Sequence, residues 1–266
     1  LEGSLSVQFA DKTWQELEEA IRQGALVLLP VGTIEEHGPH LPVSTDWVIA
    51  RRVAEAVAEA LRDEIPVLVM PAYWAGYSAR EMARWPGTIR VQPETVIAVL
   101  FDICSSLIDM GFRKLVVIDC HGHHSGILNV VARKVADAHG VYMAVTSPAR
   151  MSAEAFQRVR RSAQGGAIHA GEWETSLMLH FGEPVDMSKA TAEDIMRYHS
   201  EFVAGDNFCG QSLVFWSTWG LQRSKTGVYG DPTVASAQTG KVIMEAIVER
   251  YCRFLREFCA QADESK

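Results

Sequence analysis

A formal net charge of −8 over 266 residues argues against non-specific nucleic-acid binding, which needs clustered lysine and arginine against the phosphates. With 48% apolar residues the chain has the composition of a globular domain rather than a disordered one, and no apolar run reaches the length of a membrane span. The five cysteines are scattered and form no Cys-x-x-Cys pair, a pattern of reduced thiols that points to the cytoplasm and not to a disulfide framework.

The opening Leu1-Glu2-Gly3-Ser4 has no basic stretch ahead of an apolar core, so it does not read as a signal peptide. Without an initiator Met it reads as a cloning remnant or a processed end. Residues 11–24 predict a short amphipathic helix, with Asp11 or Thr13 as its cap and Gly24 as its stop. Ala25–Val31 is a continuous apolar run, too short for a typical helix and suited to a strand buried on both faces. A polar loop follows. Asp46 is placed to cap a helix to about Arg62, with Val48, Ile49, Val53, Ala56, Val57, Ala60 and Leu61 as its apolar face. Ile65–Met70 reads as a second buried strand. Residues 71–92 form a long loop, and a loop of that length in a compact domain usually carries function.

Pro93–Met110 predicts a helix with proline in its first turn and Gly111 at its end. Leu115–Asp119 is a third strand, running into Cys120-His121-Gly122-His123-His124-Ser125-Gly126 and a helix to about His139. Val141–Thr146 is a fourth. Residues 151–163 read as helix, Gly165-Gly166 breaks the chain, and His169-Ala170-Gly171-Glu172-Trp173-Glu174-Thr175-Ser176 opens a helix to about His180. Residues 182–233 are irregular and aromatic, and a last helix runs from about Val234 to Phe258. Apolar strands alternating with helices imply one α/β domain over 1–266, its sheet mostly parallel and covered on both faces. Ligands of such sheets bind beyond the carboxyl ends of the strands.

Three loops carry candidate ligands. The first holds Glu35, His37, His40 and Asp46; the second His121, His123 and His124; the third His169, Glu172 and Glu174. Two of them directly follow buried strands, and three histidines within four residues are unusual in a merely structural turn. Mixed carboxylate and imidazole donors suit zinc, manganese or iron. Asp46, with two carboxylate oxygens, can bridge two ions. Ions about 3.5–4 Å apart can share a bridging hydroxide that attacks a carbonyl carbon, while a nearby histidine returns a proton to the leaving group. Two rival readings are a thiol hydrolase using Cys120 beside His121 and a metal-dependent small-molecule binding protein without turnover.

These motifs give the chain a resemblance to the creatininase (creatinine amidohydrolase) family. The resemblance is carried by Leu-Pro-Val-Gly-Thr-Ile-Glu-Glu-His-Gly-Pro-His-Leu-Pro-Val-Ser-Thr-Asp at 29–46, Trp85-Pro86-Gly87-Thr88, His121-Gly122, the stretch His169 to Ser176, and Gly227-Val228-Tyr229-Gly230-Asp231-Pro232. It implies a three-layer α/β/α sandwich, a hydrolase with two divalent ions per chain (zinc first, manganese or iron as alternatives), and a homohexamer. Position by position, it implies Glu35, Asp46 and His121 on one ion, and His37, the shared Asp46 and Glu172 on the other. His169 matches the proton shuttle. Glu174 would be a further catalytic residue, orienting a ligand or His169. His123 stands where creatininase itself has a glutamate ligand, and is expected to contact substrate first and metal second.

The departures from the family pattern bear on substrate. Asp119-Cys120-His121-Gly122-His123-His124 is bulkier than the Asn-Gly-His-Gly-Gly-Asn of many members, Met82 follows Glu81 where many have histidine, and residues 147–168 hold no tryptophan. They point away from creatinine, towards a C–N bond of another small cyclic amide or related polar ring, with an inosose-like ring ketone or a formamide as alternatives. Tyr77, Trp85, His123 and His124 are the expected substrate contacts. Arg80, Arg84, Trp216, Trp219 and Arg223 are further candidates for pocket walls. His40 is expected to support its loop, and the apolar loops at 202–220 suit a subunit interface.

Overall fold

The computed structural model describes residues 6–217 and 222–264; Leu1–Ser4 and Trp219 lie outside the described residues. Four strands, β1 (Leu26–Val31), β2 (Val67–Val69), β3 (Lys114–Asp119) and β4 (Ala144–Thr146), form a sheet of order β2-β1-β3-β4. Every pairing is parallel. β1 and β3 run in register from Leu26 against Lys114 to Val31 against Asp119, so the two ligand-bearing loops leave the sheet side by side.

Both central strands are wholly buried, and the edge strand β4 only partly so. Continuous apolar runs follow from that burial, because a strand with helices on both faces has no solvent side. The side chains divide by parity. Leu26, Leu28, Val116 and Ile118 enter one core, and Val27, Leu29 and Val117 enter the other. The second core is closed by α1 (Trp14–Arg22), α3 (Pro93–Met110) and α4 (Ser125–His139). The first is closed by α2 (Thr45–Leu61), α5 (Pro148–Val159), α6 (Glu172–Phe181) and α7 (Ala237–Glu264). This is the three-layer arrangement the sequence implies.

Helix boundaries follow local chemistry. Thr13 and Glu16 form a reciprocal capping box at α1, and α3 starts on Pro93 and stops on left-handed Gly111. Several boundaries differ from expectation: β2 is confined to Val67–Val69, β4 to Ala144–Thr146, α5 ends at Val159, α7 runs Ala237–Glu264, and two further differences have a clear local cause. α5 begins at Pro148, not 151, because proline is already set for a first helical position. Ser44, not Asp46, precedes α2, which puts Asp46 in the first turn with its carboxylate turned to the sheet's carboxyl end. No helix among the described residues is long and apolar enough to cross a membrane.

Candidate metal centre

The loop after β1 is pinned to the loop after β2 and closed on itself. Gly32 N–H donates to Tyr73 O at 2.9 Å, Ile34 N–H to Trp74 O at 3.2 Å and Glu35 N–H to Val43 O at 3.0 Å. A Cβ on Gly32 would lie 2.6 Å from Trp47 N, so only glycine lets the loop pass the start of α2. His121 leaves β3 directly, its N–H donating to the Asp119 carboxylate at 3.2 Å. The His169 segment is tied down by close backbone contact. A Cβ on Gly171 would lie 2.4 Å from Gly166 O, and one on Gly230 would lie 2.5 Å from Gly171 Cα. Between them Ala170 sits at φ 53°, alone among the described non-glycine residues in positive φ. A left-handed alanine costs roughly 1–2 kcal/mol. Its N–H donates to Glu174 Oε2 at 2.6 Å, which fixes the entry to α6.

Three imidazoles meet the carboxylates in one pattern. His37 gives Nδ1–H to Glu35 O at 3.0 Å and turns Nε2 to Asp46 Oδ1 at 3.2 Å. His121 gives Nε2–H to Tyr77 O at 2.9 Å and turns Nδ1 to Asp46 Oδ2 at 2.7 Å, with Glu35 Oε2 at 3.7 Å. His169 gives Nε2–H to Glu36 O at 2.7 Å and turns Nδ1 to Glu35 Oε2 at 3.6 Å. A carbonyl only accepts, so each outer nitrogen carries a proton, and each inner nitrogen is the one placed to donate a lone pair to an ion once its own proton has left. The two oxygens of Asp46 face different imidazoles. Ligand atoms come within 4.8 Å of one another in three overlapping sets: Glu35, His37 and His169; Glu35, His121 and His123; and His37, Asp46 and Glu174.

The electrostatics ask for more positive charge. Burial pulls the His37 and His121 imidazoles down, yet Asp46 and Glu35 outweigh it and push them up to about 10 and about 9. Burial works against the Asp46 anion, but His37 and His121 hold its carboxyl well below the usual range. Glu35 Oε1 is buried with no hydrogen-bond partner among the described residues, and such an atom normally carries a desolvation penalty. A borderline divalent ion fits this donor set, since it would meet the orphaned oxygen and replace the protons on the inner nitrogens.

Several expected residues are not brought to the cluster. Glu172 turns away, its carboxylate accepting from Arg161 N–H and Ser162 N–H. Residues two apart on a helix point about 200° apart, so only one of Glu172 and Glu174 can face the site, and it is Glu174. His124 is buried with both ring nitrogens engaged: Nε2 accepts from Tyr77 N–H at 3.1 Å and Nδ1 donates to Asp119 at 3.1 Å. It therefore has no nitrogen left for a substrate. Trp85 lies under the Arg84 guanidinium, 5.1 Å from its ring centroid, and neither lines the cavity, nor do Arg80 and Arg223. Burial, reinforced by Asp119 and Asp46, pushes the Cys120 thiol well up, which works against a thiolate nucleophile. His40 braces the first loop through a 3.0 Å contact from Nε2 to Thr175 Oγ1. Glu36 escaped the sequence reading; it sits behind His169 with its carboxylate on Gly38 N–H at 2.9 Å, and only its adjacency to Glu35 hinted at it.

Glu35, Asp46, His121, His169 and Glu174 line a cavity of about 760 Å³, with Tyr77 and His123 beside them. Its outer part reaches Trp216.

A family model described as creatinine amidohydrolase (creatininase) matches residues 10–255. The mycofactocin precursor peptide peptidase of Mycobacterium tuberculosis is 30% identical over 247 residues, covering 89% of this chain and 87% of that protein. The 3-dehydro-scyllo-inosose hydrolase of Thermotoga maritima is 26% identical over 270 residues, covering 97% and 85%. A crystal structure of creatininase superposes with a TM-score of 0.78 at 25% identity, covering 96% of this chain and 99% of that one. A mutant creatininase described as Zn-Zn type gives the same TM-score of 0.78.

Proposed function

The chain belongs to the creatininase family, and from that premise we propose that it is a metal-dependent amide hydrolase that holds two divalent ions and cleaves a C–N bond. The observation that carries the reading is the shared orientation of His37, His121 and His169, each giving its outer N–H to a backbone carbonyl and its inner nitrogen to the carboxylates. Glu35, Asp46 and His121 would hold one ion. His37, Asp46 and Glu174 would hold the other, with Glu174 taking the place expected of Glu172. Zinc or manganese suits the donors, and such ions supply Lewis acidity and lower the pKa of a bound water towards neutrality.

The remaining steps fall to side chains. His169 lines the cavity while His37 does not, so we assign it to proton transfer. Its Nε2–H, fixed on Glu36 O, keeps Nδ1 aimed inward. Burial and His37 lower its pKa, but Glu36 and Glu35 leave it raised overall. Nδ1 can therefore carry a proton to the departing amine. His123 stands beside the cluster as a neutral imidazole, held well below its usual pKa by burial and by His121 and His169, and is assigned to the substrate.

The test is metal content and turnover in parallel, on protein loaded with zinc or manganese. Glu174→Gln should lose about one ion per chain and most of the rate. Glu172→Gln should keep both ions and melt at a lower temperature. His169→Ala should keep both ions and lose roughly 10²–10⁴-fold in kcat. Metal loss in the Glu172 variant with retention in the Glu174 variant would reverse the assignment.

A further inference from the structure

The cavity is far larger than a small ring requires. A space of roughly 150 Å³ accommodates a six-membered ring, and about 760 Å³ lies within the range that takes a drug-sized ligand. Its two ends differ in chemistry. The floor carries the carboxylates and imidazoles. The outer wall carries Ile168, Tyr198, Val203, Val214, Phe215 and Trp216. No lysine or arginine lines either end among the described residues, and the carboxylate of Asp206 at the cavity edge is already paired with Arg160 at 2.6 Å. An anionic substrate would thus find no lysine or arginine among the described lining residues.

The wall is held in place although Val214, Phe215 and Trp216 face water. Phe215 is 98% exposed and Trp216 51% exposed. Tyr198 meets Trp216 edge-on at 5.8 Å between ring centroids, and Leu213 N–H donates to Phe202 O at 2.9 Å. Large aromatics kept in water, next to a polar floor and continuous with it, mark a surface that something apolar covers.

We infer that the cavity selects an amide flanked by an apolar side chain, which lies against the Tyr198–Trp216 wall, so that the bond cleaved belongs to a peptide-like chain and not to a small polar ring. The inference rests on the hydrolase reading above and adds the substrate class. In the reaction water supplies a hydroxyl to the acyl carbon and a proton to the nitrogen as the C–N bond breaks. The apolar side chain takes no part in the bond changes; it holds the chain so that its carbonyl lies over the floor.

The experiment uses the full metal-loaded chain and two substrate sets. One is blocked dipeptides with Phe, Leu, Ser or Asp beside the scissile amide; the other is a five-membered lactam and a cyclic urea. The Phe and Leu peptides should exceed the Ser peptide in kcat/KM by roughly 10–100-fold, the span that apolar pockets discriminate, and the Asp peptide should be slowest. Phe215→Ser and Trp216→Ser, checked for folding by their melting temperatures, should each cut the Phe-to-Ser ratio about tenfold, chiefly through KM. Faster turnover of the lactam or cyclic urea than of every peptide overturns the inference, and so does a preference that survives both substitutions. So does a Phe215 variant that changes only the subunit number. If chelation alters no rate on any compound, the hydrolase reading itself is what fails.

Discussion

At the floor of the cavity, His37, His121 and Asp46 are almost fully buried, and each imidazole is fixed at both nitrogens by contacts of 2.7–3.2 Å. They sit where β1 and β3 end side by side and α2 begins. At the rim, Phe215 and Trp216 stand in water on an irregular segment. One buried carboxylate that moors that segment is Asp206, which pairs with Arg160 at 2.6 Å and accepts from Gly165, Ala167 and Phe208 N–H. Groups that must be placed to a fraction of an ångström occupy the stiffest part of the fold. The aromatic side chains proposed to choose among substrates stand on an exposed irregular segment away from the sheet.

The largest expected effect lies at the floor. In the chelated protein, His37 and His121 titrate at about 10 and about 9, so both are protonated at neutral pH and both must deprotonate to donate to an ion. Each ion displaces one of these protons, so the affinity for each should rise about tenfold per pH unit between pH 7 and 8, two protons leaving per fully loaded chain. The same shifts predict stability. An imidazole raised above its unfolded value of about 6.5 stabilises the fold below that pH and loses this as pH rises through the folded value. The chelated protein should accordingly melt lower at pH 10 than at pH 7, and the loaded protein should not share the fall. Calorimetric titration in buffers of different ionisation heat counts the protons; release of fewer than one would show that the floor is not built as described.

A smaller effect separates rim from floor. Asp206→Asn leaves Arg160 without its buried partner, and breaking such a pair typically costs about 3–5 kcal/mol. Urea unfolding should show a loss of that order, and KM should rise while two ions per chain are retained. If metal leaves with the rim, the two regions are one unit and the contrast between them is wrong.

The contrast also explains what could be read in the sequence. Strand runs such as Leu26–Val31 and Leu115–Ile118 were legible because burial on two faces leaves their interior positions apolar. Their carboxyl ends pointed to Glu35, His37, Asp46 and His121, which the structure gathers with His169. The choice between Glu172 and Glu174 was not legible, since it depends on which face of α6 meets the sheet. His124 looked equivalent to His121 in a run of histidines; the fold spends both its nitrogens on Tyr77 and Asp119. Trp85 lay in a family-like motif but stacks on Arg84 outside the cavity. At the rim, Tyr198 and Phe215 carry no spacing signal at all, because an irregular segment has no period to read. Trp216 was a candidate only as an aromatic residue in an aromatic stretch.

The smallest expected effect is the most diagnostic of the rim. Phe215→Ser removes a large apolar side chain, yet it should change unfolding stability by no more than about 0.5 kcal/mol. Phe215 is 98% exposed, so folding takes almost none of its surface from water and there is little transfer free energy to lose. Tyr229, fully buried beside the floor, provides the control: truncation to alanine there should cost about 3–5 kcal/mol through lost burial and the cavity left behind. Denaturation of both variants at several protein concentrations separates the cases. A Phe215 variant that loses stability in a concentration-dependent way would mean that a second copy, not substrate, covers the aromatic wall. Concentration-independent neutrality leaves the wall to a substrate, because the only free energy Phe215 then contributes is released on binding.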